Sequence, residues 1–529
     1  MKKLSFKILN RSLFIAVLAC ILHCKDKDAK VLADYQINLN QVDPYLKPFD
    51  STLISPFFEK FPKLKPYKKE VLEAYQRHHF NYLWHESKGR KETAEVLYNR
   101  INSIGAEGIF EKVPYKEEFD YMLRKSTAAN LTTELFLTAY YFFYTDKVLG
   151  GIDQKKREEM GWFLEREHVS YVAYLDTLLA NPGLVNKETQ LNRQYYLLKK
   201  ALETYRTISK KGGWDSIQVS DNFKSIKLRD SSEVVQKVRK RLVVSGDLKA
   251  DSGSAIYDDA LASGVASFQK RHGFIVDLTI GKKTIAAMNV SAEDRMKTIM
   301  INMERCRWIS PSISKEKEYI VVNIPAYRLL YIKNDSIALQ SDVVVGATMH
   351  QTVIFSGRMK YIVFSPYWNI PQSIIKNEVI PGISKNSNYL ANHNMEWNNG
   401  NVRQKPGVRN SLGLVKFLFP NSNNIYLHDT PSKSLFQRES RAFSHGCIRV
   451  AKPKELAEAI LANDSKWDSE KIDLAMHKGE ETWYTIKNEI PVYIGYFTAW
   501  MDREGNINFF EDVYNRDVQL AALLTEKEL

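Results

Sequence analysis

The chain has 529 residues, of which 44% are hydrophobic and 12% aromatic, which is enough for more than one packed domain and excludes a disordered chain. Its formal net charge is +13, but no Lys/Arg run is interleaved with aromatic side chains, so the sequence does not indicate a nucleic-acid partner. Only two of the four cysteines lie beyond the first 24 residues, which excludes a disulfide framework.

The first 24 residues have the pattern of an export signal. A basic segment precedes an apolar run over residues 12–22, which is too short to span a bilayer comfortably, and a charged stretch follows. Cys20 follows the small residue Ala19, as in a lipoprotein cleavage box, and Cys24 with its charged tail is a competing site. We therefore expect a periplasmic, cell-envelope protein, and lipid attachment to a membrane through Cys20 or Cys24 stays open.

Residues 36–220 are predicted to form a mainly helical scaffold domain. Helical patterns are evident over residues 67–79, 91–104 and 186–208. The unbroken apolar stretch over residues 135–144 is too short to span a membrane, so we interpret it as a buried helix.

Three further helical segments are predicted over residues 231–290. The motifs SGDL, YDDAL, FQKRHG and IGKKT resemble the three-helix peptidoglycan-binding domain, although Leu278 stands where that family usually has glycine. A helical spacer without a ligand is the alternative. After this segment, Ser291 and Asp294 form a capping-box pattern, and the helix that they begin ends near Cys306, which we expect to be packed in the core.

From residue 317 the pattern changes to strands, and residues 317–497 are predicted to form a mostly-β domain. Apolar stretches on both sides of Asn334-Asp335 indicate a hairpin. The polar, Asn-rich span 372–410 is predicted to be a long insert without regular structure, either a functional lid or a mobile surface loop. Residues 498–529 are predicted to contain a C-terminal hairpin and a tail.

The chemical signal lies in the segment IYLHDTPSKSLFQRESRAFSHGCIRVAKP. A predicted strand ends at His428, and Gly446 permits a tight backbone beside the Cys447 thiol. A cysteine near imidazoles, Arg449 and a helix start is in a setting that lowers the thiol pKa, and a thiolate with a base is the minimum for covalent acyl transfer. A zinc site formed by Cys447, His428 and His445 is the alternative, but no fourth ligand is evident.

This pattern, a histidine strand followed by Ser-His-Gly-Cys-apolar-Arg, resembles the L,D-transpeptidase catalytic motif. The segments PYWNIP, RNSLGLVKF and HDTPSKSLF extend the resemblance, which covers about residues 70–520 and is closest to a large multidomain branch. The resemblance implies a multidomain α + β protein: a helical scaffold, a three-helix peptidoglycan-binding domain and a mostly-β L,D-transpeptidase catalytic domain with a lid insertion.

The resemblance also implies a function. Cys447 would attack a tetrapeptide stem as nucleophile, with His428 as proton donor and acceptor, and an amine of a second stem would resolve the thioester into a 3→3 peptidoglycan cross-link. The same site would serve an L,D-carboxypeptidase or a cross-link endopeptidase, and a non-catalytic wall-binding scaffold is a third hypothesis. Carbapenems are expected to acylate Cys447, and neither a metal nor a cofactor is implied.

Supporting roles are predicted for several neighbours. The backbone N–H groups of His445, Gly446 and Cys447 would form the oxyanion hole, and Arg449 would orient the site or a substrate carboxylate. His445 is nearer to Cys447 in sequence than His428, but Gly446 is expected to turn it away, and relatives carry serine there. The residues predicted to bind substrate are Ser444, Tyr367, Trp368 and Asn410.

Overall fold

A computed structural model describes residues 48–525, apart from residues 165, 167, 168 and 182–190. The predicted leader over residues 1–24, with both of its cysteines, lies outside the described residues. The chain divides into two compact units. One contains the described residues up to Gly151 and those between Glu167 and Gln190, and the other contains Ile152–Arg166 and Leu191–Leu524.

The first unit is helical, as the sequence predicted. Its helices are Ile54–Lys60 (α1), Lys68–Arg77 (α2), Glu92–Asn102 (α3), Lys116–Lys125 (α4), Leu131–Tyr144 (α5) and Tyr171–Ala180 (α6), and a small hairpin joins His85–Glu86 (β1) to Gly89–Arg90 (β2). The predicted buried helix is confirmed, because every side chain of α5 from Thr133 to Tyr144 is buried. The buried carboxylate of Glu134 on this helix lies 2.5 Å from Nδ1 of His85, so this histidine is a core residue of the scaffold.

The second unit begins with the short helix Gln154–Glu159 and a series of longer helices. These elements are Trp162–Phe163 (β3), Arg193–Lys210 (α7), Ser225–Ile226 (β4), Glu233–Val244 (α8), Asp259–Arg271 (α9), Ile280–Gly281 (β5), Lys282–Asn289 (α10) and Ala292–Arg307 (α11). Helix α7 packs against α11, and the Asn192 side chain that caps α7 donates to the Cys306 carbonyl at 2.6 Å. Helix α7 thus belongs to the second unit, whereas the sequence placed it in a scaffold domain that extended to residue 220.

Helices α8, α9 and α10 surround one apolar core, which agrees with the three helices that the sequence predicted. Val238, Leu261 and Phe268 are among its fully buried members. Leu278 has φ +59°, in the left-handed region that favours glycine, and the hydroxyl of Tyr257 donates to its carbonyl at 2.8 Å. The non-glycine residue is thus accommodated in a left-handed turn, at a cost of about 1 kcal/mol.

The rest of the second unit is built on strands. They are Glu318–Asn323 (β6), Arg328–Lys333 (β7), Ser336–Gly346 (β8), Ile354–Phe364 (β9), Trp368–Asn369 (β10), Met395–Asn398 (β11), Asn401–Gln404 (β12), Val415–Leu418 (β13), Leu427–His428 (β14), Ala442–Ser444 (β15), Ile448–Val450 (β16), Thr482–Gly495 (β17), Ala499–Met501 (β18) and Ile507–Phe509 (β19). The predicted hairpin is confirmed, because Asn334 and Asp335 both have positive φ between β7 and β8, as a two-residue hairpin turn requires.

Eight of these strands close into a mixed barrel. The order is β13-β14-β16-β8-β7-β6-β17-β9, and β9 pairs with β13 to complete the circle. Two of the neighbouring pairs, β14–β16 and β6–β17, are parallel. Closure satisfies the backbone of every barrel strand on both sides, so short strands such as β14 and β16 hold their side chains in a fixed register.

The insert over residues 372–410 is folded, which corrects the prediction of a segment without regular structure. It contains the short helices Gln372–Ile374 (α12), Ile380–Lys385 (α13) and Tyr389–Asn392 (α14), a π-helical turn over Ile375–Val379, and a sheet in the order β10-β12-β11. Its small core comprises Ile370, Ile375, Val379 and Val402. The sequence did not indicate this core, because the segment is mostly polar and only a few apolar residues form the core.

Three helices and a hairpin complete the described chain. The helices are Pro453–Leu461 (α15), Ser469–His477 (α16) and Arg516–Thr525 (α17), and the predicted C-terminal hairpin is confirmed as β18–β19. Within the described residues, no helix is both long enough and apolar enough to cross a membrane.

Candidate active site

The predicted nucleophile and base lie on two neighbouring parallel strands. In the register of β14 and β16, His428 stands beside Arg449, and the N–H of Ile448 donates to the carbonyl of Tyr426 at 3.1 Å. Side chains alternate along a strand, so Tyr426 and His428 share one face with Cys447 and Arg449. The barrel therefore brings together residues that are about twenty positions apart in the sequence.

His428 is buried and its tautomer is fixed. Its Nδ1 lies 2.5 Å from the Asp429 carbonyl, an acceptor, so Nδ1 carries the proton and Nε2 is left to accept one. Burial, together with the nearby Arg449 cation, lowers the pKa of His428 to about 4. The Asp429 carboxylate is held by the N–H of Leu414 at 2.9 Å and by Lys433 at 2.5 Å. At neutral pH this imidazole is a neutral, oriented proton acceptor.

Cys447 is only partly accessible, and this corrects the expectation about its acidity. Burial raises the pKa of the Cys447 thiol above its usual value, although the N–H and hydroxyl of Tyr426 and the Arg449 cation act in the opposite direction. Its Sγ lies 3.6 Å from the Asn424 carbonyl. Helix α15 begins six residues later, at Pro453. The free site therefore holds a neutral thiol near a neutral imidazole.

Tyr426 is a site residue that the sequence analysis missed. Its hydroxyl faces the Cys447 sulfur, and its ring meets the His428 ring edge-on with centroids 5.7 Å apart. Trp368 lies near the same hydroxyl and acts to lower the pKa of Tyr426, which burial raises. Its position two residues before His428 on a predicted strand was the available signal, because residues i and i+2 share a face.

The loop that carries Cys447 is held by a network of hydrogen bonds. Gly446 has φ +114°, a conformation that favours glycine, and its N–H donates to Ser444 Oγ at 3.2 Å. Ser444 in turn donates to the Cys447 carbonyl at 2.6 Å. Ser444 is buried and shapes the loop, and its predicted contact with a substrate stays a prediction. The Gly446 N–H is likewise engaged within the loop.

A second set of contacts ties this loop to distant strands and was not foreseen from the sequence. The hydroxyl of Thr352 donates to the Gly446 carbonyl at 2.8 Å and accepts the N–H of Gly346 at 2.9 Å. The hydroxyl of Tyr514 donates to the Gly346 carbonyl at 2.6 Å and accepts the Thr352 N–H at 3.3 Å. No local motif links Tyr514 to Gly346 and Thr352, because Tyr514 lies more than 160 residues later, after β19.

His445 points to the mouth of the site. It is exposed, its Nε2 lies 3.8 Å from Oε1 of Glu378, and its ring lies 5.2 Å from the ring of His350. Glu378 belongs to the π-helical turn of the insert, so the insert reaches the loop of Cys447. The positive φ of Gly446 interrupts the extended chain between His445 and Cys447, as the sequence suggested.

Two partly desolvated cations flank His428 on the barrel wall. Arg449 is its neighbour on β16, and burial lowers the pKa of this guanidinium, whose Nε has no hydrogen-bond partner among the described residues. Lys416 is its neighbour on β13, and burial lowers the pKa of its ammonium, which lies 3.6 Å from Glu481. The site can therefore attract a carboxylate, and Lys416 was missed because an isolated lysine on a strand carries no signal.

The remaining predicted substrate residues divide into two groups. Trp368 lies near the hydroxyl of Tyr426, and Tyr367 is partly exposed, with the Arg403 guanidinium 3.9 Å above its ring. Asn410 is fully buried, and its amide donates to the carbonyls of Pro366 at 3.0 Å and of Lys405 at 2.9 Å. The Asn410 amide holds the base of the insert, and its role in substrate binding stays a prediction.

Within the described residues, no group of three or more His, Cys, Asp or Glu side chains is arranged to hold a metal ion. This statement includes Cys447, His428 and His445, which were weighed above as zinc ligands.

Comparisons with known proteins agree with this geometry. Residues 317–485 match the family model of the L,D-transpeptidase catalytic domain, and residues 69–202 match a model described as a scaffold domain. A Haemophilus influenzae protein whose name places it among the L,D-transpeptidases is 34% identical over 222 residues, which is 38% of this chain and 45% of that protein. The match therefore spans less than half of that relative.

Two crystal structures of L,D-transpeptidases also align with part of the chain. The one from Xylanimonas cellulosilytica is 13% identical over 52% of this chain and 100% of its own, with a TM-score of 0.18. The one from Stackebrandtia nassauensis is 12% identical over 51% of this chain and 97% of its own, with a TM-score of 0.22. TM-scores this low do not establish a common fold.

Proposed function

We propose that this chain, whose residues 317–485 form an L,D-transpeptidase catalytic domain, makes 3→3 cross-links in peptidoglycan through a thioester on Cys447. The observation that carries the proposal is the shared face of β14 and β16. There Cys447 lies beside the strand that carries His428, and Nδ1 of His428 is engaged by the Asp429 carbonyl. A nucleophile beside an oriented base is the arrangement that acyl transfer needs.

The first half-reaction is acylation. Nε2 of His428 takes the thiol proton as the Cys447 sulfur attacks the carbonyl of the third residue of a tetrapeptide stem. The C–N bond to the terminal D-Ala then breaks, and the same proton goes to the leaving amine. Because the pKa of His428 is about 4, the base is unprotonated at neutral pH and the imidazolium readily returns its proton.

The second half-reaction resolves the thioester. A side-chain amine of another stem attacks the thioester carbonyl, a C–N bond forms and the C–S bond breaks. The amine proton passes through His428 to the Cys447 sulfur, which restores the free thiol. The backbone N–H groups of Cys447 and His445 remain as oxyanion donors, since that of Gly446 is engaged, and each donor contributes about 3 kcal/mol.

The insert over residues 372–410 is proposed as a lid over the stem peptide. Two observations support this role: Glu378 lies 3.8 Å from His445, and Trp368, on the same small sheet, lies near Tyr426. A lid excludes water, which would otherwise compete with the acceptor amine. Because the insert has its own small core, its deletion need not disrupt the barrel, and a deletion variant should yield more hydrolysis per cross-link.

The remaining roles follow from the same proposal. Tetrapeptide stems are the donors, amine-bearing stems are the acceptors, and carbapenems would acylate Cys447 as strained acyl donors. Helices α8–α10, within residues 231–290, would bind peptidoglycan, and the protein would work in the periplasm as a cell-envelope protein. Attachment to a membrane would depend on lipidation of Cys20 or Cys24.

The deciding experiment is incubation of the full chain with purified tetrapeptide muropeptides, followed by mass spectrometry. We expect 3→3 dimers from the wild type and none from Cys447→Ala. Tripeptides alone would mean an L,D-carboxypeptidase, and cleavage of supplied 3→3 dimers would mean an endopeptidase. A folded wild-type protein that gives none of these products would mean a non-catalytic wall-binding scaffold.

A further inference from the structure

Lys416 lies beside the proposed base, on the side away from the nucleophile. Strand β14, which ends at His428, lies between β16, which follows Cys447, and β13, which carries Lys416. The N–H of Asp429 donates to the Val415 carbonyl at 2.9 Å, so the next pair in this register, Lys416 and His428, is one without mutual backbone hydrogen bonds. The side chains of such a pair lie on one face with their β-carbons about 5 Å apart. The lysine therefore shares the face of the base.

The Lys416 ammonium is mostly buried but only weakly neutralised. Its side chain is 12% exposed, and its single hydrogen bond among the described residues is a long one, of 3.4 Å, to the Tyr367 carbonyl. Its ion-pair partner Glu481 lies 3.6 Å away. That carboxylate already accepts the Tyr367 N–H and the Trp483 indole N–H, each at 2.9 Å. An ammonium has three N–H groups to donate, so Lys416 can bind a further acceptor.

Both amines of the proposed reaction reach His428 from one side. The leaving amine of D-Ala takes a proton from Nε2 and the attacking amine gives one to it, so each nitrogen lies within hydrogen-bond reach of that atom. In each tetrahedral intermediate the same nitrogen is bonded to the acyl carbon, which the Cys447 sulfur holds on the side of β16. The other carbon on the nitrogen therefore extends away from β16, towards β13 and Lys416.

D-Ala carries its carboxylate on this other carbon. An oxygen of such a carboxylate lies within about 4 Å of the amine nitrogen, which places it between the base and the next strand. An acceptor whose side-chain amine has a carboxylate on the same carbon presents the same group in the second half-reaction. One cation beside His428 can thus serve both steps.

We propose that Lys416 is a specificity-determining residue that binds the carboxylate next to the reacting amine, first that of the leaving D-Ala and then that of the acceptor. The proposal rests on the function proposed above, in which Cys447 and His428 carry out acyl transfer. It names the acceptor class: stems with a diamino dicarboxylic acid, whose side-chain amine stands beside a free carboxylate, in preference to stems with lysine, whose amine stands alone.

The test uses the full chain and two donors, a tetrapeptide stem that ends in D-Ala and the same stem that ends in D-alaninamide. Mass spectrometry measures the release of D-Ala or D-alaninamide, and the readout is the ratio of kcat/KM for the two donors. We expect the wild type to favour the carboxylate donor about tenfold or more, because a hydrogen bond to a charged group contributes about that factor. Lys416→Met should remove this preference by slowing only the carboxylate donor, and Lys416→Arg should keep most of it.

A competition experiment extends the test to the acceptor. Two acceptor stems are supplied in equal amounts, one with a free carboxylate beside its side-chain amine and one with that carboxylate amidated. The wild type should cross-link mainly the first stem, and Lys416→Met should use both alike.

Lys360→Met is the matched control, because Lys360 lies on β9 of the same barrel and is likewise paired with a glutamate, Glu489, at 2.9 Å. Its donor ratio should equal that of the wild type. Arg449→Met should slow both donors in the same proportion, since Arg449 lies on β16, on the side of the acyl group.

Turnover of the amide donor shows that each variant is folded. A Lys416→Met variant that keeps the wild-type ratio, or that slows both donors alike through an effect on His428, would overturn the proposal. A preference that is lost only in Arg449→Met would assign the carboxylate to Arg449 and would overturn it as well. A wild type that releases neither product would instead refute the proposed function itself.

Discussion

The end of helix α11 and the start of strand β16 each carry a cysteine, and the two surroundings differ instructively. Cys306 is fully buried between Arg305 and Arg307, and burial raises its thiol pKa well above the usual value. Cys447 also has an arginine nearby and also has a raised pKa, yet it is partly accessible and faces Tyr426 on a neighbouring strand. A nearby cation alone therefore does not create a reactive thiol. Cys447 differs from Cys306 in being partly accessible and in lying beside a strand that carries a histidine.

The sharpest test of this contrast replaces each cysteine by alanine. Cys447→Ala should abolish muropeptide turnover and the carbapenem adduct, because the thiol itself forms the bond. Cys306→Ala should keep both activities, since its sulfur only fills space in the core. Product analysis and intact-mass spectra with a carbapenem measure the outcome. An adduct on Cys447→Ala would show that the nucleophile lies elsewhere.

The next largest effect concerns the base on the partner strand. His428→Ala should slow acylation by about 10²–10⁴-fold, the usual contribution of a general base, whereas His445→Ser should slow it less than about tenfold. His445 is exposed at the mouth beside Glu378, so its loss leaves Nε2 of His428 in place. Acylation rates with one β-lactam compare the variants. If His445→Ser is the slower enzyme, the two roles must be exchanged.

A smaller effect tests Arg449, the arginine that lies near Cys447. The neutral form of His428 is the active base, and its pKa is about 4, so acylation should rise as the pH increases through about 4 and then level off. Arg449 lowers this pKa, so Arg449→Met should raise it and move the acid limb to higher pH by about one unit. The rate of β-lactam acylation between pH 3 and about 8 records the shift. An acid limb that stays in place would mean that another group controls it.

The smallest effect concerns stability. Cys306→Ala should destabilise the second unit by about 1–2 kcal/mol, because it leaves a small cavity in a packed region. Cys447→Ala should cost less, since the thiol is partly accessible. Thermal unfolding of both variants at one scan rate makes the comparison. Equal losses of thermal stability in the two variants would mean that the Cys447 side chain also stabilises the core.

The sequence predicted those parts of the molecule that depend on local pattern. Helices such as α2 and α5, the turn at Asn334-Asp335 and the strand end at His428 follow from spacing and turn chemistry. The identity of Cys447 as a candidate nucleophile came from a short motif and the family that it resembles. Each of these signals depends on residues that lie within a few positions of one another in the sequence.

The features that the sequence did not predict depend on contacts between distant segments. Burial of Cys447 reversed the expected direction of its pKa, and burial is a property of the closed barrel. Asn410 was expected to be a polar loop residue, but its amide donates hydrogen bonds to backbone carbonyls. Tyr426 and Lys416 face the site only because their strands pair in one register. The sequence alone does not show which strands pair or in which register, so it does not reveal the positions of these side chains.

The tether formed by Tyr514 has a consequence for the order in which the enzyme matures. A ribosome makes Cys447 and His428 before Tyr514, yet the hydroxyl of Tyr514 holds Gly346 and Thr352, and Thr352 holds the carbonyl of Gly446. The part of the support of this loop that depends on Tyr514 is therefore absent while that later segment is still being synthesised. A nascent chain would contain the Cys447 thiol before Tyr514 is available to support its loop. Acyl transfer would therefore be delayed until Tyr514 has been added to the chain.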